Sequence, residues 1–347
     1  LMLGFTVRFT GILLPLGLCE FAVPALAAGS VDTSKWVCEY CPFEEGHSGE
    51  YEVGATHVSD DSAYFGDASG YDESGAFVNI DGAGGYDSDD YQMDWTFEDL
   101  GLDSRFGELE GGKQGAYDYR VAYREIPTYR FESTESIFQE AGSAGLSLPS
   151  GWVRAAQTSD FSGLDSSLVG RDIKGERSVF EIGGRYLQSK QLSFSANFSR
   201  QERDGVDIFA GSFFSQSSLL PGQIEYTTDE LDLGVKYATD SGYLSLGWRR
   251  SEFDNDNLSL RWENPFTSGI GVDDGELSQA PDNTFQQLSL SGAYRLTELR
   301  TVLGFSAAAG RLEQGDTFLP YTTNATLAGG VLPATDLDAE VDTTNVA

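Results

Sequence analysis

The chain has 347 residues, 40% of them hydrophobic and 12% aromatic, with 41 Gly, 22 Phe and 16 Tyr, a composition that excludes a disordered acidic tail or a helical bundle. Its 22 Lys and Arg stand against 55 Asp and Glu, a formal net charge of −33, which repels the phosphates that dominate nucleic-acid affinity. No DNA or RNA partner is expected.

Residues 1–28 read as a signal peptide: Arg8 supplies positive charge, Gly11 to Leu18 is apolar, and Ala25 and Ala27 place small side chains around a cleavage point. Export follows. Cys19 does not read as a lipidation site, because Leu18 before it is bulky and Glu20 follows it. Beyond the leader no run of 18 apolar residues occurs, so no transmembrane helix is predicted. The other structure that can span a bilayer is a closed barrel, whose strands need only every second residue apolar.

Residues 29–50 are predicted to be an N-terminal periplasmic segment carrying Trp36-Val37-Cys38-Glu39-Tyr40-Cys41-Pro42. Covalent c-type haem needs His after the second Cys, and Pro42 stands there. A structural zinc site needs two further ligands, and no second Cys pair exists. Two readings of Cys38 and Cys41 stay open. One is a redox dithiol, which normally sits where a strand enters a helix; the other is a small disulfide or thiol pair that shapes the segment. With only His47 and His57 in the chain, no catalytic triad can be assembled, and no enzyme activity is expected.

Residues 51–347 are predicted to be outer-membrane barrel strands. The first part is acidic: Asp60 to Glu110 holds 15 carboxylates and one basic residue, Arg105. Strand signals are weak there apart from Tyr91 to Leu100. Asp87-Ser88-Asp89-Asp90 lacks the spaced ligands, glycine and terminal Glu of an EF-hand loop, so it reads as solvated surface.

From Tyr117 onward the alternation is clear. Tyr117, Tyr119, Val121 and Tyr123 interleave with Asp118, Arg120, Ala122 and Arg124; Phe180, Ile182, Gly184 and Tyr186 repeat the period. Leu192 to Ser199 alternates apolar with small polar side chains, and Leu231, Leu233, Val235 and Tyr237 alternate with Asp232, Gly234 and Lys236. The face carrying Ser193, Ser195, Asn197, Asp232 and Lys236 is a candidate lumen lining. Short turns are predicted at 187–190, at Asp240-Ser241-Gly242 and at Thr297-Glu298, and long polar connections at 133–174 and 266–283. A soluble β-sandwich alternates in the same way. Strands of about ten residues, with aromatics such as Tyr186, Tyr237, Trp248 and Tyr294 towards their ends, favour an antiparallel transmembrane barrel instead.

The Trp36 to Pro42 motif and the run from Ala280-Pro281-Asp282-Asn283 through Leu288 to Tyr294, Phe318-Leu319-Pro320-Tyr321-Thr322 and Leu332-Pro333 together resemble the MtrB/PioB family of decahaem-associated outer-membrane barrels. The resemblance implies a sheath around a periplasmic multihaem c-type cytochrome, with an outer-surface multihaem cytochrome as a further partner and lipid outside. It implies no directly bound cofactor, since the haem is the partner's. The polar face with Ser193, Ser195, Asn197, Asp232 and Lys236 would then meet the cytochrome. Family barrels exceed twenty strands, whereas this sequence offers about a dozen. Residues 341–347 lack a terminal strand ending in an aromatic, so an incomplete barrel is expected. Two other functions fit the same residues: a general porin with an acidic, cation-preferring lumen, and a periplasmic thiol oxidoreductase using Cys38 and Cys41.

Overall fold

The computed structural model describes residues 45–67, 69–213, 216–267, 272–327 and 330–347. The predicted leader and the Cys38/Cys41 pair lie outside the described residues. In chain order the strands are β1 (Gly46–Val58), β2 (Gly75–Asp87), β3 (Tyr91–Glu98), β4 (Phe106–Lys113), β5 (Tyr117–Ser136), β6 (Gly145–Leu146), β7 (Val169–Leu187) and β8 (Leu192–Phe213). They continue with β9 (Gln216–Thr239), β10 (Gly242–Asn255), β11 (Ser259–Glu263), β12 (Asp274–Ser278), β13 (Asn283–Leu296), β14 (Thr301–Gln314) and β15 (Ala339–Val346).

Twelve strands form one antiparallel sheet in the order β1-β2-β3-β4-β5-β7-β8-β9-β10-β13-β14-β15, and β12-β11-β6 form a second, small sheet. In the large sheet each strand pairs with the next one along the chain, apart from those diverted to the small sheet. This is the up-and-down order of a membrane barrel wall. Among the described residues β1 and β15 pair with no strand on their outer edges, so the sheet is open. No described helix is long and apolar enough to cross a membrane.

Connections alternate in length, except that β8 passes to β9 at the far end by a link as short as a turn. Residues 88–90, 114–116, 188–191, 240–241 and 297–300 turn the chain at one end. The other end carries 59–74, 137–168, 256–282 and 315–338. Short turns at one rim and long loops at the other match the sequence expectation and the usual asymmetry of outer-membrane barrels.

Several boundaries differ from those predicted. The acidic stretch contributes β2, β3 and β4, not β3 alone. The connection predicted at 133–174 shrinks, because β5 runs to Ser136 and β7 starts at Val169. Within the connection predicted at 266–283, Asp274 to Ser278 pairs with Ser259 to Glu263 as part of the small sheet. Residues 339–346 are a strand paired with β14, although no aromatic ends it. The central strands also outrun a bilayer: β8 has 22 residues and β9 has 24, against the roughly 9–11 that a tilted strand needs to cross.

The well-buried apolar core lies at the long-loop end. Phe138, Leu146, Leu220, Leu260 and Trp262 form it, each no more than 5% exposed. The large sheet itself leaves its apolar side open, as a lipid-facing wall requires.

Candidate functional site

Strand register decides what each face of the large sheet presents. Residues directly opposite in an antiparallel pair share a face. One row runs Tyr117, Tyr186, Phe194, Val235, Leu246, Leu290, Ala307 and Val346 across eight strands. The row above it runs Tyr119, Gly184, Ala196, Leu233, Trp248, Leu288 and Ala309. A third joins Val121, Ile182, Phe198 and Leu231. None of these positions is charged, the first charge in line being Arg250 opposite Leu231, yet Tyr186 and Leu288 are about half exposed, at 51% and 53%. In water that exposure would be unfavourable; in lipid it is the buried state. From Leu231 to Tyr237 the apolar side extends about 20 Å along β9 at ~3.3 Å per residue. Tyr117, Tyr186, Tyr237 and Tyr294 gather near the short-turn rim, where an aromatic girdle belongs.

The small side chains of Gly184 and Ala196 leave a shallow apolar groove between Tyr186, Phe194, Leu233 and Trp248.

One residue out of step, the other face is polar. Ser193 stands opposite Lys236 and Asn197 opposite Asp232, while Ser195 faces Gly234. All five candidate lining residues therefore fall on one side of two neighbouring strands, as the alternation implied. The face continues through Ser245 and Ser291 to Ser306.

Ion pairs knit this face across strands. Arg120 on β5 reaches Glu108 on β4 at 2.6 Å and Glu181 on β7 at 2.8 Å. Arg185 meets Asp118 at 2.7 Å, and Arg249 meets Glu230 at 2.7 Å. The lining list drawn from β8 and β9 missed these residues. Their signal was in the sequence, because Asp118, Arg120 and Arg124 already occupied the polar phase of their strand.

The arrangement provides a hydrophilic wall backed by an apolar one. Both histidines have structural contacts: His57 Nδ1 lies 3.0 Å from the Gly75 carbonyl, and His47 packs on Tyr86 at 4.7 Å between ring centroids. No group of three or more His, Cys, Asp and Glu is placed to hold a metal among the described residues.

Comparison with known proteins gives the same architecture a family. The family model of the outer membrane β-barrel porin MtrB/PioB matches residues 57–347. The outer membrane protein MtrB of Shewanella baltica (strain OS185) is 30% identical over 320 residues, covering 90% of this chain and 44% of the relative. The chain thus spans less than half the length of that relative. Among solved structures, OmpT of Vibrio cholerae aligns at 12% identity and a TM-score of 0.34, covering 86% of this chain and 75% of OmpT. The ferric-catecholate import receptor Fiu of E. coli K12 aligns at 9% identity and a TM-score of 0.39, covering 87% of this chain and 47% of Fiu. Similarity at that level carries no weight in the assignment, which rests on the family match and the identity to MtrB. The chain belongs to the MtrB/PioB family of outer membrane β-barrel proteins.

Proposed function

We propose that this chain supplies barrel wall for a trans-outer-membrane electron conduit, with its polar face turned toward a multihaem c-type cytochrome. The barrel insulates with its apolar side and holds the guest with its polar side. Electrons move along haems that the guest owns, so the wall needs no cofactor and no catalytic centre. An outer-surface multihaem cytochrome would receive or deliver electrons at the long-loop rim.

The observation that carries this reading is the unbroken polar face through Ser193, Ser195, Asn197, Asp232 and Lys236, on the reverse of an apolar band, in a chain of this family. The test is purification of the tagged chain from outer membranes. A haem-staining protein should co-elute in fixed proportion; folded barrel recovered without haem from cells that make c-type cytochromes would overturn the proposal.

A second reading has one observation in its favour. Glu50, Glu52, Asp94, Glu108 and Glu110 share the polar face of β1–β4, as a cation-preferring pore would arrange them. Steady cation-selective conductance of the isolated protein, with no cytochrome captured in cells, would favour the porin.

A further inference from the structure

Charge is distributed unevenly over the polar face. On β1–β4 it carries Glu50, Glu52, Asp81, Asp94, Glu108 and Glu110. The one Lys or Arg in those strands, Lys113, lies on the apolar phase at the rim and pairs with Asp90 at 2.6 Å.

On the strands that follow β4, one part of the face is basic instead. Ile126, Arg177, Arg203 and Tyr226 form one row across β5, β7, β8 and β9. Arg124 stands in the next row, its guanidinium 4.9 Å from the Phe106 ring centroid. Arg130 reaches the patch from further along β5, 2.6 Å from Asp207. Arg203 lies 3.7 Å from the same Asp207. Neither Arg124 nor Arg177 has a carboxylate partner among the described residues.

In a chain with 55 acidic and 22 basic residues, a basic side chain would ordinarily find a carboxylate. Here Arg177 and Arg203 are directly opposite each other, a placement in which like charges destabilise a strand pair. Asp207 offsets Arg203 in part, and no carboxylate among the described residues offsets Arg177. An external anion relieves the repulsion, and the forked guanidinium suits carboxylates in particular. The surroundings point to a protein surface: Tyr226 packs on Phe253 at 5.4 Å beside Arg203, and arginine beside tyrosine is the composition of protein interface centres.

We infer that Arg124, Arg130, Arg177 and Arg203 form a docking patch for a carboxylate-rich face of the protein held in the lumen, while the β1–β4 carboxylates receive that protein's basic side. The guest is thereby fixed in one rotational setting. This rests on the proposed function, and it adds the orientation and the residues that set it.

The test uses the whole chain in outer membranes with its native cytochromes. Arg177→Glu with Arg203→Glu should lower haem recovered per folded barrel by about tenfold or more, and Arg177→Lys with Arg203→Lys should restore it to within about threefold of wild type. Folding is scored by heat-modifiable electrophoretic mobility. Should the double reversal not fold, Arg177→Gln with Arg203→Gln replaces it, with a loss of at least about threefold expected. A photo-crosslinking residue at Gln201 should capture an Asp/Glu-rich cytochrome peptide, and one at Thr96 a Lys/Arg-rich peptide. Unchanged recovery in the folded reversal variant, or the same cytochrome peptide captured from both positions, overturns the inference and leaves the proposed function standing. No haem with wild-type barrel overturns both.

Discussion

Asn197 and Asp232 stand directly opposite each other on β8 and β9, while their chain neighbours Phe198 and Leu231 pair on the reverse side. A single step along either strand therefore changes solvent.

That relationship predicts opposite outcomes for the same substitution. Leu233 sits in the middle apolar row, with Ala196 and Trp248 beside it. Leu233→Arg should cost about 2–4 kcal/mol, the range for a basic residue near the bilayer midplane of a barrel. Asn197→Arg, on the polar face opposite Asp232, should change stability by no more than about 0.5 kcal/mol. Urea unfolding from phospholipid vesicles compares the two; equal losses would show that the faces are wrongly assigned.

Arg120 bridges Glu108 and Glu181 from the strand between them. The Arg120 side chain is 46% exposed, so water and salt screen much of the attraction. A double-mutant cycle of Arg120→Gln with Glu108→Gln should give a coupling of about 0.5–1 kcal/mol at low salt, falling as salt rises. Coupling above about 3 kcal/mol would mean that the polar face is drier than a water-filled lumen.

Legibility in the sequence followed how locally each signal was encoded. β8 and β9 could be read because each strand carries its own apolar phase, Phe194 with Phe198 and Leu231 with Leu233. β2 and β4 could not. On their outward phase stand Gly82, Gly84, Gly107 and Gly111, and over Gly82 and Gly84 lie the rings of Phe97 and Trp95 from β3. Over those two glycines the apolar surface belongs to a neighbouring strand, so the period that Val78 and Ile80 begin in β2 lapses, and β4 has only Leu109 as a large apolar residue on its outward phase. The small sheet was hidden for a different reason: Phe138 and Leu146 come from one long loop and Leu260 and Trp262 from another, each loop polar on average. The Arg177–Arg203 opposition is a fact of register, and sequence alone does not supply register.

The covered glycines give a second contrast. A Cβ on Gly84 would lie 2.5 Å from both the Trp95 ring and the Ser48 carbonyl, whereas one on Gly54 meets nothing closer than Asn79 Cβ at 3.9 Å. Gly84→Val should displace Trp95, which stacks on Tyr51 at 5.3 Å, and cost about 1–3 kcal/mol as overpacking does. Gly54→Ala should be tolerated. Refolding midpoints in detergent distinguish them; a neutral Gly84→Val would mean that Trp95 does not hold that position.

Trp262 ties the small sheet to the large one. Its ring lies over Gly211 on β8 and Gly275 on β12 and meets Phe213 at 5.9 Å between centroids. Register runs without a shift along the β8–β9 pair from Leu192 to Phe213, so Gly211 is on the same side of the strand as Ser195 and Asn197. The long-loop sheet is thus seated on the polar side, above the apolar band. Trp262→Ala should cost that small sheet about 3–5 kcal/mol. Its indole N–H is buried without an acceptor among the described residues, so Trp262→Phe removes an unsatisfied donor along with the area and should cost distinctly less. Limited proteolysis should then cut the 137–168 and 256–282 segments in the Ala variant, while heat-modifiable mobility of the barrel stays as in wild type. Loss of barrel mobility together with the loops would show that the two sheets fold as one unit.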